Sequence, residues 1–183
     1  MKLKILLHSC CGPCSIFPTR KLLEEGHEVR GYFYNPNIHP YTEFQKRLET
    51  YQEFAEKTGL PVIIDDNYEI DEFLRQVAFR EGERCRICYS LRLKKAAQVA
   101  RKGQFDAFTT TLLVSPFQKH ELIKEIGTAI GEELGIPFYY CDFRPGFKEI
   151  VTVSKEQNMY RQQYCGCIYS EKDRYMPKRK PKS

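Results

Sequence analysis

Lys4-Ile5-Leu6-Leu7-His8-Ser9-Cys10-Cys11-Gly12-Pro13-Cys14-Ser15 decides how the chain is read. The apolar run from Lys4 to His8 reads as a buried first strand. It ends in a turn carrying three thiols, two of them adjacent. A helix is expected from about Ser15, with Pro18 tolerated in its first turn. Adjacent thiols are unusual outside disulfide-rich or metal-binding proteins.

Outward from this stretch, strand and helix patterns alternate. Residues 28–34 read as a second strand, followed by a loop at 35–40 marked by its Asn and Pro residues. Phe44, Leu48, Tyr51 and Ala55 lie at helical spacing over 42–58, and Gly59 closes that helix. Residues 60–64 form a short strand ending at Asp65 and Asp66. Asp71 is placed to cap the next helix, which fades at Gly82. Cys85-Arg86-Ile87-Cys88 runs into a helix expected over about 89–102. A fourth strand is expected at 106–110, a helix at 119–134 and a fifth strand at 136–140.

Five alternations predict an α/β, Rossmann-like, five-stranded parallel sheet flanked by helices, with a helical and irregular segment from Pro145. One α/β domain is expected over 1–176, followed by a basic tail at 177–183. In such a sheet the functional loops gather beyond the carboxyl ends of the strands. Those loops are 9–14, 35–40, 65–66, 109–118 and 141–144, so two groups of cysteines share that edge.

The chain has 183 residues, 42% hydrophobic, with a formal net charge of +5. No apolar run approaches the ~18 residues of a membrane span. The start lacks the pattern of a secretory leader. A soluble cytoplasmic protein is the expectation. The tail Pro177-Lys178-Arg179-Lys180-Pro181-Lys182 reads either as a solubilising end or as a phosphate-attracting one. Eight cysteines in a reducing compartment are not a disulfide framework. They cluster at 10, 11 and 14, at 85 and 88, and at 165 and 167, with Cys141 alone. Thiols clustered in turns point to metal ligands or redox groups.

Cys10 and Cys11 occupy the place of a phosphate loop. A helix N-terminus there favours anions and should lower a thiol's pKa. Cys11-Gly12-Pro13-Cys14 also matches a thioredoxin-type dithiol. Cys165-Gly166-Cys167 is strained for a mutual disulfide and suits one ligand plus one redox thiol. The donor set fits structural zinc or an iron–sulfur cluster, and the surplus of thiols suggests a cluster plus a second metal or a redox pair. Asp142 is either a partner for Arg144 or a carboxylate ligand or proton donor facing the thiols. Cys141, next to it, reads as core. His8 reads as a buried hydrogen-bonding residue and His39 as a substrate contact. Tyr34, at a strand end, is placed to stack on a base.

Taken together, His8-Ser9-Cys10-Cys11-Gly12-Pro13-Cys14-Ser15, Arg84-Cys85-Arg86-Ile87-Cys88-Tyr89, Thr110-Thr111-Leu112-Leu113-Val114-Ser115-Pro116, Cys141-Asp142-Phe143-Arg144 and Tyr164-Cys165-Gly166-Cys167 resemble the QueH-type epoxyqueuosine reductases. The resemblance implies a HUP-type fold related to ATP-dependent tRNA-modifying enzymes. It implies removal of the epoxide oxygen of epoxyqueuosine at the tRNA wobble position, without a corrinoid. It also implies a 4Fe-4S cluster with an adjacent mononuclear iron. Cys10, Cys11, Cys85 and Cys88 would divide between cluster and iron, with Cys10 and Asp142 at the chemistry and Asp142 as oxygen ligand. Cys165 and Cys167 would complete the set or cycle as a dithiol. Arg84, Arg86, Arg144, Lys119 and the basic tail are candidates for anticodon phosphates. The partners implied are tRNA and an unidentified electron donor.

Three alternatives stand beside this. An ATP-dependent tRNA thiolase would need a glycine-serine-aspartate phosphate loop where this chain has cysteines. A zinc-stabilised RNA-binding module would use four thiols without catalysis. A thiol-redox protein would use Cys11 and Cys14 alone.

Overall fold

The computed structural model describes residues 1–177, so the lysines and arginine of the basic tail lie outside the described residues. Four strands form a parallel sheet: β1 (Lys4–Ser9), β2 (Glu28–Phe33), β3 (Val62–Ile64) and β4 (Ala107–Thr110), in the order β3-β2-β1-β4. The helices between and after them are α1 (Gly12–Glu24), α2 (Tyr41–Thr58), α3 (Ile70–Val77), α4 (Arg84–Lys102), α5 (His120–Leu134), α6 (Phe147–Glu156) and α7 (Ile168–Tyr175). β1 is central. Its Ile5, Leu6 and Leu7 are fully buried, as expected for a strand covered on both faces. It pairs with β2 from Lys4↔Glu28 to Ser9↔Phe33 and with β4 from Ile5↔Ala107 to His8↔Thr110. The chain steps outward from β1 to β3, then returns to place β4 on the other side. The winding therefore reverses between β1 and β4, and the loops leaving those two strands diverge there.

The expected fifth strand is reduced to one bridge, Phe108↔Phe138. The Phe108 N–H donates to Pro137 O at 3.1 Å and the Tyr139 N–H donates to Phe108 O at 2.8 Å. Pro137 has no N–H, and the Ile136 N–H is turned back to Gly131 O, closing α5 at 3.0 Å. The ladder cannot extend in that direction. The segment lies where a fifth strand would lie, without the hydrogen bonds of one.

Two helices begin earlier than the sequence suggests, and both shifts concern thiols. α1 starts at Gly12 rather than Ser15, with Cys11 as its extended N-cap. Pro13 fits a first turn, where its missing N–H is not needed. Pro18 consequently falls inside the helix, where the Cys14 carbonyl loses its helical donor. A Cβ at Gly12 would stand 2.7 Å from Thr50 O, so only glycine lets α1 press this closely on α2. α4 starts at Arg84 rather than Tyr89, which places Cys85 and Cys88 on its opening turns. Asp71 lies in the first turn of α3, which Glu69 precedes as N-cap.

The C-terminal segment is latched to the start of α2. Arg47, buried, donates from Nη1 to Cys165 O at 2.9 Å, from Nη2 to Tyr164 O at 3.0 Å and from Nε to Glu43 at 2.8 Å. The Tyr160 hydroxyl donates to the other Glu43 oxygen. The His39 N–H donates to Gly166 O at 2.8 Å, and the Ile168 N–H donates to His39 Nδ1 at 3.2 Å. His39 Nε2 donates to Pro36 O at 3.3 Å, and the Tyr164 hydroxyl donates to His39 O. His39, expected to touch substrate, is only 2% exposed and is part of this latch. Burial also lowers its pKa, favouring the neutral ring that these bonds require.

The fork of Arg47 gives a test. Arg47→Met leaves two loop carbonyls and the Glu43 carboxylate short of a donor, and should destabilise the fold by about 3 kcal/mol. Arg47→Lys should recover only part, because an ammonium cannot reproduce the fork. Urea denaturation reads both, and a midpoint unchanged in Arg47→Met would remove Arg47 from the latch.

Candidate metal centre

Cys10, Cys11 and Cys14 place their sulfurs within 4.8 Å of one another at the mouth of the β1–β4 reversal. Cys14, which the sequence clusters with Cys10 and Cys11 and also offers as a dithiol partner, is part of the group. The Cys10 N–H donates to Thr111 Oγ1 at 3.2 Å, and that hydroxyl lies 3.4 Å from the Cys10 sulfur. Thr111 opens a short 3-10 turn after β4, so this contact ties together the two loops that diverge. Hydrogen bonds from the Cys11 and Cys14 thiols and from Thr111 push the Cys10 pKa down against the effect of burial. Burial pushes Cys11 up, and its two neighbouring sulfurs push Cys14 up. The lowered thiol pKa expected of this turn thus falls to Cys10 and not to Cys11.

Cys85, Cys88, Cys165 and Cys167 form a second set. Cys165 and Cys167 lie close enough to Cys85 and Cys88 to help raise the pKa values of those two, and Cys88 and Cys167 pack with Phe73 and Val77 in a small buried cluster. Burial pushes Cys88 up to about 12 and also raises Cys85. Cys165 is exposed and accepts from Gln118 Nε2 at 3.2 Å. All eight cysteines are free thiols, Cys165 and Cys167 included. Gly166 between them has φ +153°, a conformation that L side chains rarely adopt.

Between the two sets stands Arg92, which sequence reading passed over. It is 2% exposed, and its Nη2 donates to the Cys88 sulfur at 3.0 Å. Its charge also faces Cys165 and Cys10. His8, buried, bonds Thr110 Oγ1 at 2.9 Å and Tyr34 O at 3.0 Å. Burial first, and then the Arg92 charge, lower its pKa to about 4. His8 is thus the buried hydrogen-bonding residue that the sequence suggested.

The other candidates lie apart from the thiol trio. Asp142 is bound by Arg144, with Nε and Nη2 donating at 2.8 and 2.7 Å and the Arg144 N–H at 3.0 Å. This pairing lowers its pKa to about 2, so Asp142 is a carboxylate and not a proton donor near neutrality. Cys141 is half-buried and faces Lys21, Glu25 and Asp142. Arg84 pairs with Asp173 at 2.6 Å and Arg86 with Glu125 at 2.9 Å. Tyr34 is buried and stacked on Tyr32, with ring centroids 6.3 Å apart, so it has no free face for a base.

A cavity of about 500 Å³ opens beside the thiols. Cys14 and Cys165 both line it, with Gln118, Gln162 and Gln163 as amide groups and Arg161 and Arg174 as cations. Phe117 is 84% exposed on this wall and meets Phe147 edge to face at 5.8 Å. The pocket-lining residues of 161–163 follow α6 in a stretch without helical or strand periodicity, so no local pattern marks them.

The fold is similar to that of a structure described as U34-tRNA thiolase NcsA from Methanococcus maripaludis with its 4Fe-4S cluster. That likeness has TM-score 0.58 at 16% identity and covers 92% of this chain and 61% of that one. A predicted subunit of tRNA methyltransferase from Methanocaldococcus jannaschii has TM-score 0.53 at 13% identity, covering 83% and 75%. Sequence similarity is closer elsewhere. A Dehalococcoides mccartyi protein described as epoxyqueuosine reductase QueH is 37% identical over 172 residues, 94% of each chain. Proteins of the same description from Haemophilus influenzae and Thermotoga maritima are each 37% identical. They cover 93% and 91% of this chain, and 72% and 89% of their own lengths. A family profile described as epoxyqueuosine reductase QueH matches residues 5–173. The thiols at the sheet reversal thus sit in a chain that belongs to the epoxyqueuosine reductase QueH family.

Proposed function

We infer that this chain is an epoxyqueuosine reductase acting on tRNA that carries epoxyqueuosine at the anticodon wobble position. Two electrons and two protons convert the epoxide to an alkene and water. The observation that carries the reading is the convergence of two thiol sets on the sheet reversal, beside a cavity, in a chain of this family. The donor set fits an iron–sulfur group. Three sulfurs lie within 4.8 Å of one another, and the buried Arg92 charge beside them suits an anionic site. Such a group, a 4Fe-4S cluster with an adjacent mononuclear iron, supplies single electrons and a Lewis acid for the epoxide oxygen. Cys10, Cys11, Cys85 and Cys88 are the proposed ligands, and the place of Cys14 among the sulfurs adds it to the candidates.

The remaining chemistry belongs to the chain. Thr111 holds the Cys10 sulfur, which lies within 4.8 Å of that of Cys14 on the cavity wall. Gln118, Gln162 and Gln163 offer donors and acceptors to the base and to the diol of the substrate. Phe117 offers an exposed ring on which an anticodon base can stack. Arg161 and Arg174 take the phosphate-contact role for which Arg84, Arg86 and Arg144 were the sequence candidates, since those three are already ion-paired. Asp142 would reach a metal only on leaving Arg144. No helix among the described residues is long and apolar enough to cross a membrane.

Protein purified without oxygen is expected to be brown. It should convert epoxyqueuosine in tRNA to queuosine when a reductant is supplied, as read by nucleoside mass analysis. Colourless protein with one stoichiometric zinc and no turnover would overturn the reductase reading. Cys11→Ala and Cys88→Ala should each lose bound iron and activity while the circular dichroism spectrum stays native.

Asp142→Asn separates its two readings. Retained iron with abolished turnover assigns the carboxylate to the chemistry, whereas full turnover leaves it as the partner of Arg144. Phe117→Ala should raise KM for the tRNA about tenfold, as expected for loss of one stacked base, with kcat little changed. An unaltered KM would show that the ring does not contact the anticodon.

A further inference from the structure

Two arginines are among the largest fully buried side chains, and they differ in their partners. Arg47 has a carboxylate and two carbonyls. Arg92 has neither a carboxylate nor a distant carbonyl among its described hydrogen bonds. Its Nε reaches the carbonyl of Cys88 at 3.4 Å, one helical turn back, and its Nη2 reaches the sulfur of the same residue at 3.0 Å. Tyr89 lies beside the guanidinium, with its ring centroid 5.9 Å away. A guanidinium does not lose its proton inside a protein. A buried charge without a counter-ion is among the costliest features a fold can carry. The thiols of Cys88, Cys165 and Cys10 are the groups that face it, and they balance it when they carry negative charge.

We propose that Arg92 is the fixed counter-charge of the metal centre, placed between Cys88 and Cys10 to stabilise the anionic thiolate-bound group and to make its reduction easier. The proposal rests on the iron–sulfur reading above. Arg92 neither gives nor takes an electron or a proton. It is a positioning residue that acts through the field of its charge, strengthened by the low dielectric around it. The second set has other cations beside it, Lys119 and Arg84, but Lys119 is exposed and Arg84 is paired with Asp173. Arg47, also buried and bonded to the Cys165 carbonyl, is paired with Glu43, so Arg92 is the buried cation of the site without a carboxylate among its described partners.

The experiment compares wild type, Arg92→Met and Arg92→Lys, each metal-free and each reconstituted with iron and sulfide under anaerobic conditions. Metal-free Arg92→Met should melt at or above metal-free wild type, because the substitution removes an unbalanced charge and keeps an apolar stem. The reconstituted Arg92→Met centre should show a more negative midpoint potential in an EPR-monitored redox titration. Arg92→Lys should keep the midpoint near wild type. A centre that is lost in Arg92→Met and kept in Arg92→Lys also supports the proposal. A midpoint unchanged in Arg92→Met overturns it. So does loss of iron from both variants with both metal-free chains melting below wild type, the result expected of a packing role alone. If wild type itself binds no iron, the cluster reading fails, and the metal-free melting order then decides alone whether Arg92 is an unbalanced charge.

Discussion

The hydroxyl of Thr111 accepts from the Cys10 amide and faces the Cys10 sulfur, and this one side chain joins the ends of β1 and β4. The geometry of the site depends on that join. A parallel sheet whose winding reverses must open between the strands on either side of the reversal. The opening is useful only if its two rims are held at a fixed distance. Here the rims are the turn that begins α1 and the turn that follows β4, and the hydroxyl spans them. Gly12 sets the other wall by letting α1 meet the backbone of α2. The sulfurs are therefore positioned by main-chain packing before any metal is bound.

Much of the fold was legible because its signals are local. The unbroken apolar run of β1, the helical spacing of Phe44, Leu48, Tyr51 and Ala55, and the closing glycines Gly59 and Gly135 are properties of short windows. The fifth strand failed for an equally local reason, the missing N–H of Pro137, which apolar composition hides. Helix starts were placed late at Ser15 and Tyr89 because Cys11 and Glu83 are N-caps whose side chains make no capping bond. The cluster of Cys10, Cys11 and Cys14 was visible as a motif, and α1 beginning at Gly12 brings its sulfurs together; that Cys85 and Cys88 meet Cys165 and Cys167 depends on long-range packing.

The residues that sequence reading missed or misplaced share a cause. Arg47 and Arg92 look like ordinary surface cations at helical positions, and their burial is decided by what folds over them. His39 sits in a turn of Asn and Pro, which suggests exposure, but the C-terminal segment covers it. The aromatic surface is similar. Tyr34 is hidden by its neighbours on the sheet, while Phe117, in a loop without periodicity, is left open. Long-range packing separates the two, and a single sequence carries no direct signal of it.

The latch over Cys165 and Cys167 holds that loop by main-chain atoms. Arg47 and His39 reach the carbonyls of Tyr164, Cys165 and Gly166 and the amide of Ile168, and none of these bonds uses a cysteine side chain. The loop therefore keeps its place whatever happens to its sulfurs. Oxidation, ligation or alkylation at either thiol leaves every anchor intact, so the segment can pass through different chemical states without a conformational cost at its attachment points. Evolution has a similar freedom at the two thiol positions, provided that the glycine between them and the tyrosine hydroxyls of the latch remain.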